Sequence, residues 1–173
     1  MYSGTPRQAS GPVLVRASEA ELLTNAPGSF VTLLTDSDLT GGALTSNRAT
    51  LRQGVDGAPP HFHTKATEML FVLGGSLRVL AGQEVLLLNG GDTFIAPPLL
   101  AHAFAPAPDS DADVLVVFTP GMDRFDYYRL LERVNRGEAS PAEIGQSQQR
   151  FDNHYVDSPV WQAALHGQSP DAA

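Results

Sequence analysis

Over residues 13–120, apolar and polar positions alternate in short runs cut by glycine, proline and aspartate, the pattern of half-buried strands joined by turns. The runs predict strands at 13–16, 30–35, 43–51, 68–73, 76–81, 84–88, 93–95, 101–104 and 113–118. Gly74-Gly75 and Ala81-Gly82-Gln83 are read as turns joining neighbouring runs, and Asn89-Gly90-Gly91-Asp92 as a third tight reversal. Such residues supply the positive φ angles of hairpin turns, and Asp92 is read as a turn residue on the same ground. No helical period interrupts the series, so the region predicts an all-β antiparallel sandwich or barrel.

The period then changes. Phe125, Tyr128, Leu131 and Val134 recur at steps of three, with Glu132 and Arg136 four apart, which predicts an amphipathic helix with an ion pair on its wet side. Gly137 stops it. Ser140-Pro141-Ala142-Glu143 has the residues of a helix start, with an N-cap serine, a proline in the first turn and a glutamate three residues on. Ser158-Pro159 announces another helix through Leu165. The expected organisation is one β domain over 13–120 with a helical extension over 121–167, flanked by unstructured segments at 1–12 and 168–173.

The 173 residues suffice for one domain with a real core. A formal net charge of −8 with no basic run disfavours nucleic acid and membrane surfaces as partners. No apolar leader or membrane-length apolar run is present, so a cytoplasmic protein is expected. There are no cysteines, which excludes disulfides, thiolate ligands and a Cys nucleophile. Any metal must then be held by imidazole and carboxylate, ligands suited to first-row divalent ions.

Candidate chemistry concentrates in Pro60-His61-Phe62-His63-Thr64-Lys65-Ala66-Thr67-Glu68. In a strand, residues two apart share a face, so His61 and His63 point together while Phe62 points away. Glu68 follows a four-residue turn and converges on the same centre. A fourth group is expected from His102, which follows the proline-stiffened turn Ala96-Pro97-Pro98 and in an antiparallel barrel would lie across the interior from the other three. His61, His63, Glu68 and His102 would hold one divalent transition metal ion, whether iron, nickel, manganese, cobalt, copper or zinc. Lys65 is read as a solvated loop charge, and His154 and His166 as surface residues.

These motifs resemble the cupin superfamily. Its first motif runs glycine, spacer, His-x-His, three or four residues, Glu, six residues, Gly, and here His61, His63, Glu68 and Gly75 fit, with Gly54 one residue further upstream than the pattern has it. In the second motif Gly91, Pro97 and His102 fit, while Leu99 stands in place of a glycine and Pro106 in place of an asparagine. The resemblance implies a double-stranded β-helix (jelly-roll) barrel. A narrower resemblance, to bacterial quercetin 2,3-dioxygenase-like single-domain cupins, rests on Pro120-Gly121-Met122-Asp123-Arg124-Phe125-Asp126-Tyr127-Tyr128-Arg129, Phe151-Asp152-Asn153-His154-Tyr155 and Ser158-Pro159-Val160-Trp161. It implies a metal-dependent dioxygenase in which Glu68 is both ligand and general base.

Leu70 and Val72 share Glu68's strand face and Phe104 shares that of His102, so these three either line an apolar substrate pocket or fill the barrel. Met69, Phe71 and Leu73 face the other way and need cover from a second layer, the C-terminal helices or a partner subunit, and a homodimer is expected. Three functional readings follow. They are a dioxygenase of a phenolic or enolisable small molecule, a non-redox metal-dependent cyclase or isomerase, and a barrel that binds a small ligand without transforming it.

Overall fold

Ten strands and four helices make up residues 11–167, the part of the chain that the computed structural model describes. Every strand pairing is antiparallel. The strands are β1 (Leu22–Ala26), β2 (Ser29–Thr35), β3 (Thr45–Leu51), β4 (Ala58–Phe62), β5 (Thr67–Ala81), β6 (Glu84–Asn89), β7 (Thr93–Ala96), β8 (His102–Pro106), β9 (Ala112–Thr119) and β10 (His154–Tyr155). They form one curled sheet in the order β1-β2-β3-β9-β5-β8-β4-β10, with β6 and β7 also on β5. The architecture is the cupin jelly roll with short C-terminal helices. Of the two flanking segments expected to be unstructured, only residues 11 and 12 fall within the described chain.

Strand β5 organises the barrel. Its first half pairs with β7 and β9 and its second half with β6 and β8. Gly74-Gly75 is therefore not the hairpin turn the sequence predicts but a bend within one 15-residue strand, marked by a register shift between Val72 and Gly74. Gly75 has φ +73°, and a Cβ there would sit 1.9 Å from the Asp111 carbonyl oxygen. A glycine inside a strand pattern signals such a bulge and close backbone approach as readily as a turn. The alternation of β5 and β9 sends Leu70, Val72, Leu77, Val79, Val114, Val116 and Phe118 into the core.

Three other expectations need correction. Residues 13–16 form no strand, and Val13 and Leu14 are exposed. β1 is short and polar enough to escape the apolar pattern, yet it closes a hairpin onto β2. β4 contains Pro59 and Pro60, which cannot donate ladder hydrogen bonds; it pairs with β8 only at Ala58 and His61, with an irregularity between them.

The helical extension contains α1 (Phe125–Asn135), α2 (Pro141–Gln146), α3 (Gln148–Phe151) and α4 (Pro159–His166). Its signals act as expected. Glu132 pairs with Arg136 at 3.1 Å, and Gly137 takes φ +74° beyond the end of α1. Ser140 and Glu143 form a capping box on α2, and the Ser158 hydroxyl accepts from Trp161 N. Tyr127, Tyr128 and Phe151 pack against Leu23, Val31 and Leu33 of the β1–β2 hairpin. Trp161 is fully buried against Leu80, Ala103 and Ala105 on the outer face of the barrel. The helices thus leave Leu73 and Ile95 exposed at 48% and 54% on the other outer face, with Met69 and Phe71 half-buried beside them. No helix among the described residues is long and apolar enough to cross a membrane.

Candidate metal centre

His61 is the penultimate residue of β4, His63 follows its end, Glu68 is the second residue of β5, and His102 opens β8. All four side chains are buried, and one ligand atom from each lies within 4.8 Å of the others. The carboxylate is the hub. Its Oε2 stands 2.7 Å from His102 Nε2, 2.9 Å from His63 Nε2 and 3.8 Å from His61 Nε2. His102 is the cross-strand partner of His61, so it arrives from the neighbouring strand rather than from across the interior. A pairing register, unlike a spacing, is not written in one segment of sequence.

Each imidazole is anchored through its other nitrogen. His61 Nδ1 lies 2.8 Å from the Pro59 carbonyl, His102 Nδ1 2.9 Å from that of Leu100, and His63 Nδ1 2.5 Å from that of Asp152. A carbonyl only accepts, so each Nδ1 is the donor and each Nε2 is turned inward, where it carries a lone pair in the neutral ring and a proton for Glu68 in the charged one. Three inward lone pairs facing a carboxylate make a cage of acceptors, which a divalent cation satisfies and a neutral core does not. The donor set therefore fits the metal that the fold family implies.

The electrostatics follow from the same packing. Burial pushes His61 down to about 4, against the opposing pull of the Glu68 carboxylate 3.8 Å away. Burial would raise the Glu68 carboxyl, but the His102 charge, the hydrogen bonds of His102 and His63 and the nearby His61 ring hold it well below the usual carboxylate range. Burial likewise works to lower His102, and the adjacent Glu68 carboxylate outweighs it and raises the ring.

The second layer comes from the C-terminal extension. Asp152 adopts a left-handed conformation, φ +47°, and places its carbonyl on His63. Its carboxylate accepts from Thr64 N, Thr64 Oγ1 and Lys65 N, at 2.6–3.1 Å, which fastens the turn between His63 and Glu68. Strand β10 adds to β4, setting Tyr155 opposite His61. Lys65 is exposed, Asp92 accepts from Asn89 N in its turn, and His166 is exposed. His154 is half-buried, stacked on Phe62 with ring centroids 5.1 Å apart, and lies outside the ligand cluster.

A cavity of about 720 Å³ adjoins the centre, bounded by the β1–β2 hairpin, the inner face of β3 and helices α1 and α2. His61 and Glu68 lie in its wall, as do Phe104, Leu51, Tyr127 and Tyr128. Of the three side chains expected around a substrate, Phe104 lines the cavity, whereas Leu70 and Val72 are wholly buried in the barrel core. Sequence reading overlooked Arg124, Asn153 and Tyr155, which also line it. The available signal was an arginine at the N-cap of α1, the end where a helix dipole disfavours a cation.

Residues 47–118, which contain all four cluster residues, match the Cupin domain family model. The chain thus contains a cupin domain over residues 47–118. A 65-residue segment is 42% identical to the probable germin-like protein subfamily 2 member 5 of Arabidopsis thaliana, covering 35% of this chain and 30% of that protein; the chain thus matches under a third of that relative's length. An RmlC-like cupin from Shewanella frigidimarina superposes with a TM-score of 0.57 at 18% identity, over 69% of this chain and 99% of the other. The iron(II) form of HppE superposes with a TM-score of 0.55 at 19% identity, over 64% and 62%. At these identities the structural likeness establishes the fold.

Proposed function

We propose that this cupin is a metal-dependent dioxygenase acting with O2 on a phenolic or enolisable organic molecule, of the quercetinase-like kind. The observation that carries the reading is the position of Glu68. It is the buried carboxylate of the cavity wall, it sits among three imidazoles, and the only other carboxylate lining the cavity among the described residues, Asp56, is exposed. His61, His63, His102 and Glu68 would hold the ion, which when bound supplies Lewis acidity and, for a redox-active metal, a site for dioxygen.

The chain's own residues do the rest. Phe104, Leu51, Tyr127 and Tyr128 give the cavity a largely apolar wall that accepts a flat ring and excludes water. A Glu68 carboxylate oxygen accepts the proton of a substrate hydroxyl, leaving an enolate or phenolate beside the cluster. The carbonyl anchors on the three Nδ1 atoms keep the imidazoles fixed while this happens.

The test is dioxygen uptake with quercetin and with a β-diketone, on protein loaded in turn with iron, nickel, manganese, cobalt and copper. Uptake that Glu68→Gln or a chelator abolishes is expected. No uptake with any metal overturns the reading, and product formation without oxygen on the zinc form would replace it with a non-redox cyclase or isomerase.

We also propose that the protein is a homodimer, since the outward face of β5, β7 and β9 presents Met69, Phe71, Leu73, Ile95, Leu115 and Val117 with no helix of the described residues over them.

A further inference from the structure

Arg124 is 3% exposed, and among the described residues no carboxylate pairs with it. Its guanidinium lies over three aromatic rings, 4.3 Å from the centroid of Tyr127, 4.8 Å from Phe118 and 5.5 Å from Tyr128. One terminal nitrogen donates to Asn153 Oδ1 at 2.9 Å and the other to the Phe151 carbonyl at 3.4 Å. Arg124 Nε and Asn153 Nδ2 have no acceptor. Aromatic faces and neutral oxygens replace only part of the hydration that a buried guanidinium gives up, and a buried charge without an opposite charge is costly.

Arg124 and Asn153 line the same cavity as His61 and Glu68. Phe118 joins the two groups: its ring meets His63 edge-on at 5.4 Å, and its face carries the guanidinium. The cation thus stands about one aromatic ring from the metal cluster. Glu68 makes its close contacts with the imidazoles and none with Arg124. A divalent ion on the cluster would leave the buried wall with an excess of positive charge and no anion to spare for Arg124.

We infer that Arg124, with Asn153 beside it, is the anion-recognition point of this cavity, and that the substrate is an aromatic acid whose carboxylate pairs with Arg124 while its hydroxyl-bearing end faces Glu68 and His61. The inference deepens the proposed function and rests on the cavity being the substrate site. Arginine suits this role because its charge is permanent and its fork of donors matches a carboxylate.

The test compares 3,4-dihydroxybenzoate with 3,4-dihydroxybenzamide, which share the hydroxyl end and the size and differ in charge. Titration calorimetry on the nickel-loaded full chain should show the acid binding at least about tenfold more tightly. The ratio should fall to near one in Arg124→Met and keep part of its size in Arg124→Lys. A ratio near one in the wild type, no binding of either molecule, or a ratio unchanged in Arg124→Met overturns the assignment. If Arg124→Met does not fold, the wild-type ratio and its reduction in Arg124→Lys decide. A merely structural Arg124, bracing the aromatic cluster, would change stability in these variants and not the acid-to-amide ratio. Metal content of the same samples separates the two claims. Metal uptake without acid preference defeats the Arg124 assignment alone, whereas acid preference in a chain that takes up no metal defeats the metal reading alone.

Discussion

The carbonyl oxygen of Asp152, in the C-terminal extension, lies 2.5 Å from Nδ1 of His63, in the first ligand motif of the barrel. The helical extension is therefore part of the candidate metal centre, because one of its residues sets the tautomer and angle of a cluster histidine 89 positions earlier in the chain.

Asp152→Ala removes the carboxylate that holds the Thr64–Lys65 turn and leaves a left-handed backbone without the side chain that suits it. Metal affinity should fall by about 10-fold to 100-fold, the usual effect of losing an outer-shell partner. Competition against a chromophoric chelator measures it, and unchanged affinity would show that the extension is ornamental to the site.

Leu99 occupies the position where the cupin motif has a glycine, and it does so at φ +69°. Its side chain is 68% exposed, so little burial offsets the backbone cost. The strain is retained because Leu99 N donates to the His63 carbonyl at 2.8 Å, tying the turn before His102 to the first ligand motif. Leu99→Gly should stabilise the protein by about 1 kcal/mol. A chemical-denaturation midpoint that does not rise would show that the turn carries no such strain.

Three of the four cluster residues were legible because a two-residue period and a short turn put His61, His63 and Glu68 together whatever the rest of the barrel does, and His102 was legible only as a residue of the second motif. The β character of the domain and the caps of α2 and α4 were legible for the same local reason. The arrangement of His102 beside His61 was not, since it depends on the register of β4 and β8, interrupted by two prolines. Gly74-Gly75 misled because glycine serves a hairpin and a bulge equally well. Arg124, Asp152 and Asn153 were beyond reach because they act only once the extension docks, and no spacing links them to the ligands.

The exposed pair Leu73 and Ile95 lies on the outer face left uncovered by the helices. If that face joins two copies, light scattering after gel filtration should give twice the chain mass for the wild type and the chain mass for the Leu73→Lys, Ile95→Lys double variant, with the near-ultraviolet spectrum unchanged. A monomeric wild type would contradict the proposed homodimer.

The central claim is that His61, His63, Glu68 and His102 hold one divalent metal ion, and elemental mass spectrometry of untagged protein purified without added metal tests it most directly. The account predicts close to one equivalent of iron, nickel, manganese, cobalt, copper or zinc, lost in His63→Ala while the fold is kept. Protein that carries no metal and takes up none on titration, or a His63→Ala variant that binds as well as the wild type, would contradict it.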